Sequence, residues 1–317
     1  MRPAYADLSE TKRKLSEHRL NANRGAPTVG GVPTTDLITT DPITTDLINT
    51  DLTTTLLTLL GFGVLTGITT VLFGFGGGFV TVPVLAAVLR TTEPGDAMHL
   101  AIATSAAVMV INAGWASLVQ ARAGTLRRDL LWPLAGTIAL GAILGALTAT
   151  ITPGPLLRWL FAGYLALTIA DSLLRSGFLR PTDTHPRPLN NATTGLGGIG
   201  IGFIASLLGV GGSVLTVPLM RRRGHPMATA VAHANPLSLP VALAATTVYL
   251  LANPGDTAAG NLRIGLIDVG AGLALLAGSL PTIALVRRLG TRIPDRAHAI
   301  AYLGLLCAAL AAVLIVG

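Results

Sequence analysis

The sequence predicts an all-α integral membrane protein, a polytopic bundle of two inverted repeats, each a glycine-broken half-helix hairpin followed by three spans. Three observations predict it. Of the 317 residues, 51% are hydrophobic and only 12% charged, with a mean hydropathy of +0.65; soluble domains carry about 25% charged residues. The apolar residues come in runs of roughly 20, the length that crosses a ~30 Å hydrocarbon core at ~1.5 Å per residue. A glycine-rich motif also occurs twice, at 74–84 and 209–219, each time opening a segment too short to span.

Residues 1–55 are expected to be a disordered N-terminal arm. They hold six of the basic and seven of the acidic residues and no sustained apolar stretch. From Thr34 to Thr53 the chain reads TTDLI, TTDPI, TTDLI, NTDLT, a Thr/Asp-rich pentapeptide quasi-repeat that cannot build a core. No apolar h-region follows the early charges, so this is not read as a secretory signal. Beyond it the apolar pattern places segments at 56–73, 77–89, 97–120, 130–150, 155–174, 194–208, 212–220, 227–252, 264–286 and 297–315. Phe79 to Leu89 and Ser213 to Met220 are too short to span, and each follows a glycine cluster that interrupts a helix. Broken helices of this kind are tolerated at membrane depth only where protein or a watery cavity covers the backbone. Cys307, the one cysteine, reads as a small packing residue and excludes an internal disulfide.

The short segments are copies of each other. Gly74-Phe-Gly-Gly-Gly-Phe-Val-Thr-Val-Pro-Val84 matches Gly209-Val-Gly-Gly-Ser-Val-Leu-Thr-Val-Pro-Leu219, and Gly124-Thr-Leu-Arg127 is echoed by Gly260-Asn-Leu-Arg263. The chain therefore divides into a first membrane repeat at 56–175, a cytoplasmic linker at 176–192 and a second repeat at 193–317. If each repeat starts with a hairpin that enters and leaves on one side, thirteen arginines, Arg122, Arg221 and Arg287 among them, fall on one face. Only Arg90, Arg158 and Arg263 fall on the other. Short cytoplasmic loops carry such an excess. Three spans after each hairpin turn the second repeat upside down, with both termini outside, an architecture typical of transporters.

A half-helix that starts inside the membrane leaves its first N–H groups unpaired and presents the positive end of its dipole. A small anion satisfies both. Gly76, Gly77 and Gly78, with Gly211 and Gly212, would let a ligand approach the backbone, and the hydroxyls of Thr81, Ser213 and Thr216 add donors. Pro83 and Pro218 lie too deep in these segments for a first helical turn. The long spans contribute Thr104, Ser105 and Asn112 in the first half, and His233, Asn235 and Ser238 in the second. Polar residues there usually face a cavity or a partner helix. His233, with an unperturbed pKa of ~6.5, is the candidate proton carrier. Against this stands plain packing: small residues let helices approach closely and polar residues bond neighbouring helices. Asp171, Asp268 and His99 lie near segment ends, where solvated or arginine-paired groups are expected. With no Lys or Arg inside a span, backbone dipoles would carry the anion, giving weak, exchangeable binding.

Enzyme motifs are missing: the sequence has no HExxH, paired cysteine ligands, GxSxG or Walker loop. No catalytic residue, metal or cofactor is expected. Arginines confined to short gaps, with aromatics at 4%, argue against nucleic acid. The expected partners are a small anion and the lipid bilayer. Oligomeric state is left open, a homo-oligomer included.

At the paired Gly-x-Gly-Gly-Gly/Ser…Thr-Val-Pro motifs, with Ala-Thr-Ser at 103–105, the sequence resembles the TauE/SafE family of sulfite exporters over about 56–317. The resemblance implies a multi-pass permease of a bacterial-type plasma membrane, moving sulfite, sulfonates or other small organic anions with proton coupling. It implies that the family's glycine-rich elements fall on Gly74 to Pro83 and Gly209 to Pro218, and its Thr-Ser element on Thr104 and Ser105. Asn235-Pro236 replaces Thr-Ser in the second half, and Ser213 replaces the third glycine. The expectation is a secondary transporter working by alternating access between paired half-helix N-termini. An uncoupled anion channel and a non-transporting membrane scaffold or subunit are the alternatives.

Overall fold

The computed structural model describes residues 42–92, 95–124, 126, 128–174, 178, 193–252, 262–289 and 293–315. Two compact units divide the chain, Met1–Asn49 and Thr50–Gly317. Of the first, only the opening of helix α1 (Pro42–Phe73) is described. Positions 1–41 of the expected arm, and the expected linker apart from Phe178, lie outside the described residues.

In the second unit α1 runs to Phe73 and is followed by α2 (Gly78–Thr92), α3 (Ala97–Arg122), α4 (Arg128–Ile151) and α5 (Gly154–Leu174). The second half holds a π-helical turn at Thr193–Gly197, α6 (Gly198–Leu207), α7 (Ser213–Arg222), α8 (Met227–Leu251), a two-stranded hairpin, α9 (Val269–Leu289) and α10 (Asp295–Ile315). Seven helices are long and apolar enough to cross a bilayer among the described residues, namely α1, α3, α4, α5, α8, α9 and α10. The protein is an all-α polytopic membrane protein.

Contacts at the helix ends give each element its direction. At one end of the bundle, here the first, His99 Nε2 lies 2.9 Å from the Thr152 carbonyl and Arg158 Nε donates to the Val313 carbonyl at 3.2 Å. These join the start of α3 to the end of α4, and the start of α5 to the end of α10. At the second end, Arg287 donates to the Ala116 carbonyl at 3.1 Å, Met227 N–H donates to Asp295, and Arg222 pairs with Asp171. So α1 and α2 form a hairpin from the first end, and α6 and α7 form one from the second. Each is followed by three helices of alternating direction, and the repeats are inverted.

The hairpins dock on the opposite repeat through small residues, as helices in lipid commonly do. A Cβ at Gly141 or Gly145 of α4 would stand 2.0 or 2.1 Å from the carbonyls of Ile199 or Phe203 in α6. The same holds between α1 and α9, where a Cβ at Gly63 would meet the Leu275 carbonyl at 2.4 Å. Each glycine pair is spaced by four, Gly141 with Gly145 and Gly63 with Gly67, so both lie on one helix face. At the centre α3 packs against α8 and α4 against α6.

Three sequence expectations change. The helix of α1 starts at Pro42, inside the expected arm; extending a formed helix orders one residue per hydrogen bond, and proline suits a first turn. The segment expected from 264 opens instead with an antiparallel hairpin, Arg263–Ile264 with Ile267–Asp268, turned at Gly265 with φ +60°. Helix α9 starts only where the Asp268 carboxylate accepts the Ala271 N–H at 2.9 Å. Cys307 is exposed on α10 rather than packed.

Candidate functional site

The two glycine loops, 74–77 and 209–212, meet in the middle of the second unit. Three glycines of the first have positive φ, Gly74 (73°), Gly76 (62°) and Gly77 (99°), and Gly209 (66°) does so in the second; side chains are disfavoured there. The loops touch through bare backbone: a Cβ at Gly78 would stand 2.7 Å from the Gly209 carbonyl. The matching residue, Ser213, carries a side chain, so the third glycine is required in the first repeat only. Phe75 stacks on Phe79 at 4.8 Å and packs against Tyr302, whose hydroxyl donates to the Val214 carbonyl at 3.1 Å. That aromatic cluster holds the first loop against α7.

Two central helices satisfy the broken backbone. Ser105 of α3 lies between the carbonyls of Gly78 (3.2 Å) and Gly209 (3.0 Å), so its one proton is shared between the loops. On α8, Asn235 accepts the Gly76 N–H and donates to the Thr70 carbonyl, both at 3.1 Å. One side chain thus serves both sides of the break between α1 and α2. One turn later, Ser238 accepts the Ser213 N–H at 3.2 Å and donates to the Ala234 carbonyl. All of these side chains are fully buried.

Around this frame stand buried groups with no hydrogen-bond partner among the described residues. Asn112 accepts from Ser279 at 2.9 Å, while its Nδ2 is unpartnered and lies 3.0 Å from where a Cβ of Gly77 would be. The Thr66 hydroxyl on the same side is unpartnered, as are those of Ser206, Ser213 and Thr216 at the second loop. Such groups are uncommon in folded proteins and each calls for a physical reason. Together these hydroxyls and the Asn112 amide nitrogen form a shell of donors around the two loops.

The structure brings together Gly76, Gly77, Gly78, Ser105, Asn112, Gly211, Gly212, Ser213, Thr216 and Asn235. It places Thr104 elsewhere: its hydroxyl accepts the Asp268 N–H at 2.9 Å, facing the β-hairpin. Thr81 lies in the first turn of α2 but donates to the Gly77 carbonyl at 2.6 Å, while its match, Thr216, is unpartnered. His233 is buried on α8, with Nδ1 2.8 Å from the Thr229 carbonyl. Thr66, Met109 and Ser238 belong to the same neighbourhood. Thr66 and Ser238 stand out as polar residues in apolar runs, whereas nothing in sequence separates Met109 from other apolar side chains of its helix.

A family model described as Sulfite exporter TauE/SafE matches residues 59–313. A probable membrane transporter protein of Methanocaldococcus jannaschii is 26% identical over 182 residues, 56% of this chain and 65% of that protein. One of Xylella fastidiosa is 30% identical over 169 residues, 52% of this chain and 62% of its own. A third, of Haemophilus influenzae, is 25% identical over 234 residues, 73% and 88% of the two chains. The chain thus spans a little under two thirds of the first two relatives. No solved structure matches it.

Proposed function

Since this chain belongs to the sulfite exporter TauE/SafE family, we propose that it is a secondary transporter of a small anion such as sulfite, a sulfonate or a small organic acid. It acts in a bacterial-type plasma membrane. The observation that carries this reading is the meeting of two glycine-opened half-helices beside the unpartnered Asn112 amide nitrogen and the Ser213 and Thr216 hydroxyls. The positive dipole ends of two helices, with unpaired side-chain donors beside them, favour negative charge. The anion binds at the junction and is exposed alternately to each end, as inverted-repeat carriers do. Proton coupling runs through His233, two residues before Asn235. A carbonyl only accepts, so Nδ1 beside Thr229 carries a proton.

The test is flux in proteoliposomes. Wild-type protein is expected to give saturable sulfite flux with counterflow, accelerated by a pH gradient. Asn112→Asp places a negative charge beside Gly77 and abolishes flux; Ser213→Ala weakens it, and His233→Gln removes the response to pH while exchange persists. Unaltered flux in Asn112→Asp protein that inserts normally would overturn the site, and flux without counterflow would make the protein a channel.

A further inference from the structure

We propose that Met109 is the movable plug of the junction and sets the size of anion admitted, an inference that rests on the transport reading above. Met109 lies on α3 between Ser105 and Asn112, one turn from each, and is fully buried. Its thioether borders glycines of both repeats. A Cβ at Gly76 would stand 2.8 Å from Met109 Cγ, one at Gly78 3.3 Å from Sδ, and one at Gly211 2.9 Å from Sδ. One side chain therefore fills the space that three bare backbones leave open, while the unpartnered amide nitrogen of Asn112 stands beside the first loop. In this conformation the plug and the shell of donors share one packed volume, and an anion reaches the donors only if the plug leaves.

Methionine is suited to leaving. It is unbranched, with rotatable bonds along its whole length, and its soft sulfur makes favourable contacts in many rotamers. The glycines it touches have no side chains to obstruct the swing. Volume vacated by Met109 is volume given to the anion, so the bulk of residue 109 limits the anion's size.

The experiment compares sulfite, methanesulfonate and butanesulfonate flux in proteoliposomes of wild type, Met109→Leu and Met109→Ala. Met109→Ala is expected to raise the butanesulfonate-to-sulfite ratio by roughly tenfold or more, the discrimination a tight pocket achieves per methylene. Met109→Leu, close in volume, keeps the wild-type ratio. As a check that does not depend on flux, Met109→Cys in a Cys307→Ser background is titrated with N-ethylmaleimide; methanesulfonate is expected to slow the reaction. An unchanged ratio in Met109→Ala protein that still moves sulfite, or thiol reactivity indifferent to methanesulfonate, would overturn the inference about Met109 alone. Wild-type protein that moves none of the three anions would overturn the transport reading, and this inference with it.

Discussion

Asn235 shows how one residue makes a broken helix tolerable inside a membrane. Where α1 stops and α2 begins, the Gly76 N–H has no lipid partner available, and the Thr70 carbonyl, which accepts the Gly74 N–H at 3.1 Å, has one lone pair to spare. The amide of Asn235 supplies an acceptor for one and a donor for the other. Glutamine carries the same planar amide but is a methylene longer, and a neutral imidazole holds its donor and acceptor on opposite sides of a ring. Asn235→Leu therefore leaves the buried Gly76 N–H unpaired, at about 1–3 kcal/mol, and takes from the Thr70 carbonyl one of its two bonds, the one from the Gly74 N–H remaining. A lowered thermal unfolding midpoint in detergent is the expected outcome, and an unchanged midpoint would show that neither bond contributes. Sequence alone marks Asn235 as significant, because an amide in an apolar run needs a partner. It cannot name the partners, which lie 159 and 165 positions away. Thr104 shows the converse: it neighbours Ser105 in sequence, yet successive residues of a helix point about 100° apart, and it turns to the β-hairpin.

Among elements, the hairpin of α6 and α7 depends on a charge that sequence assigns to a hydrophilic gap. Arg221 lies in the last turn of α7 and is 1% exposed. Its guanidinium donates to the Phe178 carbonyl and pairs with Asp295 at 2.9 Å, while Asp295 Oδ1 also accepts the Met227 N–H at 2.7 Å. One cluster thus fixes the end of α7, the start of α8 and the start of α10. Breaking a buried pair typically costs about 3–5 kcal/mol; with the Asp295 side chain 36% exposed, water screens part of this and about 2–3 kcal/mol is expected for Arg221→Met. Arg221→Lys is expected to recover only part of it, because an ammonium cannot span Phe178 and both carboxylate oxygens as a planar fork does. Thermal unfolding of the three proteins side by side checks the order wild type, Lys, Met. A lysine variant as stable as wild type would reduce the cluster to a simple charge pair.

For the whole molecule, the distribution of arginines and the chain direction agree. Arg90, Arg158 and Arg263 lie at the first end, and Arg122, Arg221, Arg222, Arg287 and Arg296 lie at the second, which the charge rule assigns to the cytoplasm. Large apolar residues such as Leu147, Leu167 and Leu273 are more than half exposed along the spans, and Trp132 and Trp159 stand near opposite ends, where membrane interfaces favour tryptophan. In a Cys307→Ser background, thiols introduced by Arg122→Cys and Arg223→Cys are expected to react with a membrane-impermeant reagent from the cytoplasmic face. One introduced by Leu262→Cys is expected to react from the opposite face. Reaction of the first two from different faces would refute the inverted arrangement.

By itself the sequence determined the membrane class, the number and order of apolar segments, the duplication and its inversion. All of these follow from local periodicity, run length and charge, which a chain carries whatever its tertiary contacts. Only the tertiary structure decided which polar residues share the junction, that Ser105 rather than Thr104 bridges the loops, that Arg221 is buried, and that Met109 fills the gap between three glycines. Those outcomes depend on which faces of distant helices meet, and close packing of backbone on backbone leaves no trace in the hydropathy of any single segment.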